Sequence, residues 1–368
     1  MSQLIRHVFT TLGVVSLSIH ANAQLKPATY IAPRQYHCYQ TLAPITIDGK
    51  PDEKSWQQAS WSDDFTDIEG DKQPAPPMRT RLKMLWDKQY IYILAELEDQ
   101  HIWATLHQHD TIIFQDNDFE IFVDPDGDTH QYFELEINPH NTVMDLFMPK
   151  PYREGGDALM NWDAQGMRTA VHIDGTLNKS NDKDKKWTVE MAIPFSAFGF
   201  FNQRVSGPKD SSSWRINFSR VEWDTDIING KYIKRVDKAT GKSLAEHNWV
   251  WSPQGIINMH APEKWGYLFF VKQPVGSPAI KLALPAIEEA KEYLWLIYHK
   301  QHDYFREHRH YASTLTALGV SEETFKVNGL TYSLKMEGIS DQFTATIHAE
   351  NKNESFAINQ EGKISQKH

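Results

Sequence analysis

Apolar and polar residues alternate with a period of two along most of this chain, from about Tyr36 to Val271. In one such segment Phe133, Leu135 and Ile137 alternate with Glu134 and Glu136. Alternation of this kind gives a strand one buried face and one polar face, as in antiparallel sheets. About ten such segments, separated by turns rich in Gly, Pro and Asp, predict an antiparallel two-sheet β-sandwich of the jelly-roll type over residues 36–272.

The pattern changes after residue 272. Residues 273–284 contain Pro274, Gly276 and Pro278 and are predicted to be a linker. From Pro285 apolar residues recur at helical spacing, which predicts a helix that reaches His310. A short second helix over 313–318 and three alternating segments follow. Residues 285–368 are therefore predicted to form a small α+β domain, one long helix on a short antiparallel sheet.

The first 23 residues have the pattern of a secretory signal peptide. Arg6 and His7 form a basic head, residues 8–19 are apolar, and Ala21-Asn22-Ala23 is a small-residue cleavage site. The apolar run is shorter than the ~20 residues that a membrane-spanning helix needs. We expect export to the periplasm, the cell surface or the medium, with no membrane insertion after cleavage; an uncleaved anchor is the alternative.

Charge and cysteine content exclude several classes of partner and site. With 38 basic and 48 acidic side chains the formal charge is −10, which argues against a nucleic-acid partner. The single cysteine, Cys38, excludes an intramolecular disulfide and a thiolate metal cluster. The 12 tryptophans suit a β-rich core and leave some aromatic side chains for ligand contact.

Five segments, in this order, resemble the family 9 carbohydrate-binding modules. They are residues 47–53 with Trp56, 85–92, 118–124, 187–194 and 265–267. The resemblance covers residues 36–272 and implies a non-catalytic DOMON-like β-sandwich. It also implies sugar binding between aromatic side chains and structural calcium. Such modules are often attached to xylan-degrading enzymes, which implies a role in polysaccharide utilisation.

The two positions of the aromatic clamp in the sugar-binding members differ here. One tryptophan lies just upstream of the Glu-Ile-Phe strand in those members, where this chain has Phe114. The other lies before the closing strand, where this chain has Met259 or His260. The sugar-end specificity of the family is therefore not carried over, and loss of sugar binding stays open as an alternative.

Strand parity gives a second route to a binding face. On the predicted strand 214–223 the polar face holds Arg215 and Asn217 and ends in Trp223. Glu120, Glu134 and Glu136 lie on the corresponding faces of their strands, and Trp249 and Trp251 share one face. A polar face with an aromatic rim can hydrogen-bond hydroxyls and cover the apolar face of a sugar ring. The predicted carbohydrate-binding residues are Phe114, Glu120, Glu134, Arg215, Asn217, Trp223, Trp251 and Met259. The alternative for each tryptophan is packing in the core.

Asp124, Asp126 and Asp128 surround Gly127 at a predicted turn. Oxygen ligands at alternate positions suit calcium, which takes about 6–8 of them. The run lacks EF-hand spacing, and a solvated acidic turn is the alternative.

These patterns together predict an exported, non-catalytic protein that binds a glycan or oligosaccharide. One alternative is a glycoside hydrolase, although no serine elbow or His-Glu-x-x-His motif is present. Another is a haem carrier, since DOMON relatives include such proteins. Met259 and His260 would be its axial ligands, but as strand neighbours they would point to opposite faces, so no haem is expected. A third is a cell-surface module that contacts a protein partner through its C-terminal domain.

Overall fold

The structure, a computed structural model, describes residues 32–199 and 207–367. The predicted signal peptide lies outside these residues. The described part is mainly β, as the alternation predicts, and contains two α-helices, α1 (Lys54–Gln58) and α2 (Ala286–His308). Among these residues no helix is both long enough and apolar enough to span a membrane.

Fourteen strands precede the C-terminal domain within the described residues. They are β1 Gln35–Gln40, β2 Thr66–Asp67, β3 Thr80–Trp86, β4 Tyr90–Glu98, β5 Asp118–Asp124, β6 Tyr132–Ile137, β7 Val143–Met148, β8 Arg168–Asp174, β9 Lys186–Pro194, β10 Ser213–Glu222, β11 Thr225–Ile228, β12 Lys231–Lys234, β13 His247–Val250 and β14 Gly266–Pro274.

All but β11 and β12, which pair with each other, belong to one curled sheet. Its order is β7-β6-β5-β10-β14-β1-β3-β4-β9-β8, with β13 paired to β10 and β2. The expectation of a wholly antiparallel sandwich needs one correction, because β1 runs parallel to both β14 and β3. Parallel neighbours need a long crossover, and the 39 residues between β1 and β3, which include α1, supply it.

The main core lies between the two halves of the curled sheet. One half contributes alternate residues of β3, β4 and β9, and the other contributes alternate residues of β5, β6, β10 and β14. Phe119, Trp187 and Phe218 are typical members and are fully buried. The remaining residues of β5 and β6 face outward, which places the polar positions on the outer face of that half.

Two of the segments that resemble the family, residues 47–53 with Trp56 and residues 187–194, are held together by hydrogen bonds to Glu190. The Glu190 carboxylate accepts the Asp48 and Gly49 amides, each at 2.9 Å, and the Trp56 indole N–H at 2.8 Å. Gly49 has φ +82°, and a Cβ there would lie 2.7 Å from the His172 backbone nitrogen. These residues hold the chain together and lie away from the outer face of β5 and β6.

The C-terminal domain has its own core. Its five-stranded antiparallel sheet follows chain order, β15 Thr324–Val327, β16 Leu330–Gly338, β17 Phe343–Ala349, β18 Ser355–Asn359 and β19 Ile364–Lys367. Helix α2 buries Ile287, Leu294 and Ile297 against this sheet. The predicted second helix is only a 3₁₀ turn at Thr316–Leu318, ended by Gly319 at φ +69°.

Polar contacts join the C-terminal domain to the sandwich. The Tyr267 hydroxyl donates to Glu288 at 2.7 Å, and Lys264 pairs with Glu292 at 3.3 Å. A second group of contacts lies near the predicted calcium turn, where Lys363 pairs with Asp128 at 3.0 Å. The two apolar clusters share no residue.

Candidate functional site

A cavity of about 350 Å³ lies on the outer face of β5, β6 and β7. Its floor comes from outward residues of these strands, and its walls come from Ile112, Phe114, Tyr152 and residues 257–260. The polar lining consists of Glu120, Glu134, Glu136, Glu246, Asn248, Asn258 and His260, and the remainder is apolar. A concave surface of this size with a few convergent polar groups has the character of a small-ligand site.

Strand register places three carboxylates together on the floor. Glu120 of β5 lies directly opposite Glu136 of β6, and Phe122 lies opposite Glu134. On the next strand Met144 and Leu146 lie opposite Glu136 and Glu134. The acidic groups are therefore bordered by apolar side chains, which keep water away from them.

Burial raises the pKa of every floor carboxyl. The largest cause is loss of water, and neighbouring carboxylates add to it. Together these raise the pKa of Glu134 to about 8, and the pKa values of Glu120 and Glu136 also lie well above the ordinary range. At neutral pH the cavity floor favours protons, cations or hydrogen-bond donors.

A tyrosine–histidine pair lies beside Glu134. The Tyr132 hydroxyl is 2.9 Å from His260 Nδ1, and His260 Nε2 is 3.7 Å from a Glu134 oxygen. Burial lowers the pKa of His260 to about 4, so the ring is neutral at pH 7. When Tyr132 donates to Nδ1, the ring proton is on Nε2 and points toward Glu134.

Large apolar side chains are exposed around the cavity mouth. Tyr152, Ile112 and Ile257 are 48%, 45% and 74% exposed. The Tyr152 ring meets the His260 ring edge to face, with 4.5 Å between the centroids. An exposed aromatic ring beside buried acceptors can cover the apolar face of a ligand while the acceptors take its hydroxyls.

Four of the predicted carbohydrate-binding residues meet in this cavity: Phe114, Glu120, Glu134 and Met259. Both substituted clamp positions are thus at the same site. Trp223 lies behind the wall, because its indole N–H donates to the Phe114 carbonyl at 2.8 Å. Its ring is 3.3 Å from the Lys234 ammonium and is 8% exposed, so Trp223 supports Phe114.

The other three predicted residues do not reach the cavity. Trp251 is 1% exposed and packs in the main core against Gly266, where a Cβ would lie 2.3 Å from the indole ring. Asn217 is fully buried and exchanges two 2.9 Å hydrogen bonds with the Ser252 backbone. Arg215 donates to the Glu263 carbonyl and lies 4.2 Å from the Tyr267 ring centroid.

The physical reason for these corrections is a covering segment. Parity places Arg215 and Asn217 on the outer face correctly, but residues 252–263 return over that part of the face. Their backbone carbonyls take the hydrogen bonds that a ligand would need. The expectation of a rim position for Trp251 is wrong because the face that Trp251 shares with Trp249 is the inner one, and both indoles pack in the main core.

The expectation that Met259 and His260 point to opposite faces is also wrong. They lie in a loop before β14, not in a strand, and both line the cavity. Each already has a polar partner: the Met259 sulfur is 3.9 Å from the Gln254 amide nitrogen, and His260 Nδ1 is bonded to Tyr132.

Tyr152 is a site residue that strand parity missed. It lies in a 3₁₀ turn, Tyr152–Glu154, that follows β7. This turn shows no regular alternation of apolar and polar residues from which the direction of a side chain could be predicted. The available signal was a tyrosine next to a proline in a stretch with glycines, which marks a turn on the surface.

The predicted calcium turn makes its own hydrogen bonds. Asp124 is fully buried and accepts the Gly127 and Thr129 amides at 2.9 and 2.8 Å. Asp128 accepts the His130 amide and pairs with Lys363. One oxygen from each of Asp124, Asp126 and Asp128 lies within 4.8 Å of the others, so the donor set suits calcium, but the Lys363 ammonium competes for the same charge.

The fold and the cavity define a β-sandwich binding module with a small C-terminal domain. The model of the family described as "Carbohydrate family 9 binding domain-like" matches residues 47–266, and the chain belongs to this family.

Solved structures of similar proteins include the following three. A candidate carbohydrate-binding protein from Bacteroides uniformis ATCC 8492 is 17% identical, with a TM-score of 0.48, over 65% of this chain and 100% of that one. A family 9 module from Caldicellulosiruptor kristjanssonii in complex with cellotriose is 14% identical, with a TM-score of 0.39, over 68% and 100%. The same module with glucose is 14% identical, with a TM-score of 0.38, over 67% and 100%. No curated protein matches the chain.

Proposed function

We propose that the protein binds a glycan or oligosaccharide, without changing it covalently, in the cavity on β5, β6 and β7. The observation that carries the proposal is that both positions equivalent to the family's clamp, Phe114 and Met259, line one cavity with the buried acceptors Glu120 and Glu134. Membership of the carbohydrate family 9 binding domain-like family supports the same ligand class.

The contacts expected for a sugar follow from the lining. The Tyr152 ring, which is exposed, and the Phe114 ring cover the C–H face of a pyranose. Glu120 and Glu134 accept hydrogen bonds from its hydroxyls, and the Asn258 amide can both donate and accept. Tyr152 thus provides the aromatic surface for the sugar ring that the sequence pattern predicts for Trp223 and Trp251.

The biological setting is part of the proposal. The signal-peptide pattern of residues 1–23 supports export, and the family supports a role in polysaccharide utilisation. A bound glycan would be held outside the cytoplasm, and the C-terminal domain offers a separate surface for a protein partner.

A glycan array followed by calorimetry tests the proposal. Glucose, cellotriose and xylo-oligosaccharides head the panel, and a leading hit is titrated into wild type, Tyr152→Ala and the control Tyr304→Ala on α2. Loss of the ring wall is expected to weaken binding by about 1–3 kcal/mol, or about 5- to 150-fold, while the control binds as wild type. No hit on the array, or equal affinity in the Tyr152→Ala variant, contradicts the proposed site.

A glycoside hydrolase is the second candidate, and one observation favours it: burial raises the pKa of Glu134 to about 8, as in a general acid. Chromogenic glycosides separate the two functions. Release of the chromophore that Glu134→Gln abolishes would establish hydrolysis, whereas binding with no release supports the non-catalytic function.

We also propose structural calcium at the Asp124–Asp128 turn. The three carboxylates supply hard oxygen ligands, and the turn lies where the sandwich meets β19, since the Ile364 amide donates to the Asp128 carbonyl at 3.0 Å. Calcium there would strengthen this junction. An unchanged melting temperature after chelation would count against it.

A further inference from the structure

A set of three carboxylates, two of which belong to the cavity floor, differs from the calcium turn in its surroundings. Asp118 lies at the start of β5, two residues before Glu120, and Glu136 lies opposite Glu120 on β6. One oxygen from each of the three lies within 4.8 Å of the others. All three residues are buried, with exposures of 0%, 5% and 2% for Asp118, Glu120 and Glu136.

Three oxygens of this set lack a well-formed hydrogen bond within the described residues, whereas Oε2 of Glu136 accepts the Phe114 amide at 2.8 Å. Both oxygens of Asp118 and Oε2 of Glu120 have no donor in bonding geometry, although the Val221 amide and the Ser219 hydroxyl lie nearby. Outside the set, Oε2 of Glu134, a residue 4% exposed in the cavity floor, also has no donor in bonding geometry, and His260 Nε2 lies 3.7 Å from it. Buried polar groups are normally paired, so oxygens of this kind indicate a ligand.

The basic side chains that the structure describes do not pair with this set. In the part of the chain that the structure describes, no Lys or Arg nitrogen lies within 4.0 Å of Asp118, Glu120 or Glu136. The neighbouring charged groups are further carboxylates, Glu134 and Glu246. Several carboxylates without a counter-charge cannot all stay ionised out of water.

The calcium turn shows the contrast. There Lys363 pairs with Asp128, and backbone amides occupy both Asp124 oxygens. Among the described residues the set at Asp118 has no ammonium partner, and a backbone amide bonds Glu136 but neither oxygen of Asp118, so its demand for a cation is greater.

We propose that Asp118, Glu120 and Glu136 bind a hard divalent cation, best matched by calcium, at the cavity floor. Calcium–oxygen distances of about 2.3–2.6 Å place ligands on opposite sides of the ion at most about 5 Å apart, which accommodates this set. Calcium tolerates irregular geometry, whereas magnesium keeps several waters and suits a dry set poorly. Glu120 and Glu136 also line the cavity, so the ion lies next to whatever occupies it.

Calorimetry and thermal melting of the full chain, with no sugar present, test the site. Chelator-treated protein is titrated with calcium, magnesium and manganese as wild type, Asp118→Asn and Glu136→Gln. The control Glu246→Gln removes the same charge from the cavity wall, outside the set. Asp126→Asn reports binding at the turn.

The expected result has two parts. Calcium raises the melting temperature of wild type, Glu246→Gln and Asp126→Asn. Asp118→Asn and Glu136→Gln bind calcium at least about tenfold more weakly than wild type, because calcium affinity depends on the charge of the ligand set. In chelator, Asp118→Asn melts at least as high as wild type, since it removes repulsion. This second part shows that the variant folds.

Three outcomes overturn the proposal. The first is a wild-type melting temperature that does not change at about 10 mM of each cation, a concentration above the dissociation constants of the weakest extracellular calcium sites. The second is calcium affinity that survives in both Asp118→Asn and Glu136→Gln. The third is calcium binding that is lost only in Asp126→Asn. The last assigns the ion to the turn. Because no sugar is present, each result is independent of the proposed carbohydrate function.

Discussion

Glu120 and Glu136 are a cross-strand pair of like charge on the outer face of the sandwich, each less than one-tenth exposed. Like charges directly opposite one another destabilise a sheet, and burial adds the cost of removing water. The sandwich retains this unfavourable pair where the cavity lies and places apolar residues around it. Such a cost is typical of a binding site.

Trp251→Ala separates the core from the cavity. The indole is buried in the main core, so its removal should lower the free energy of unfolding by about 3–5 kcal/mol. The sugar dissociation constant should stay within about twofold of wild type, since Trp251 does not line the cavity. Urea unfolding and calorimetry measure the two effects. Weaker sugar binding with unchanged stability would return Trp251 to the binding face.

His260 should make stability depend on pH in mildly acidic solution. Because burial lowers its pKa from 6.5 to about 4, the unfolded chain binds a proton here between these values that the folded protein does not. Stability should therefore rise with pH from about 4 to 6.5 and level off above. In His260→Gln the slope should fall by up to about 1.4 kcal/mol per pH unit. Urea unfolding across this range checks it, with the exposed His172→Gln as control; equal slopes would refute the assignment.

Lys363→Gln tests the turn at Asp124. If calcium binds there, removal of the competing ammonium should strengthen binding, and Asp128→Asn should weaken it. Melting curves with calcium and with chelator measure both. A turn that does not bind calcium should show no calcium-dependent difference between Lys363→Gln and wild type.

The sandwich should fold without the C-terminal domain. A chain of residues 24–272 keeps the whole main core, because the two apolar clusters share no residue and polar contacts such as Tyr267–Glu288 and Lys264–Glu292 join the domains. We expect a single cooperative thermal transition. An insoluble fragment, or one that melts without cooperativity, would place the boundary elsewhere.

Local periodicity was enough to predict much of this fold. Alternation along residues 118–124 and 132–137 predicts which side chains face the core and which face outward, and it places Glu120, Glu134 and Glu136 on one surface. Helical spacing predicts α2 to within two residues at its C-terminal end. These predictions succeed because the direction of a side chain depends on the geometry of its own strand or helix.

The composition of the cavity depended on long-range contacts. Parity assigns Arg215, Asn217 and Glu120 to the same outer face, yet residues 252–263 cover the first two and leave Glu120 open. Tyr152 and His260 reach the cavity from segments outside the strands, where apolar and polar residues do not alternate regularly. Asp118 becomes part of a buried acidic set only when β5 and β6 pair in their observed register. Alternation specifies the face on which a side chain lies, but the segment that returns over that face is determined by packing between residues distant in the chain, which a local pattern does not encode.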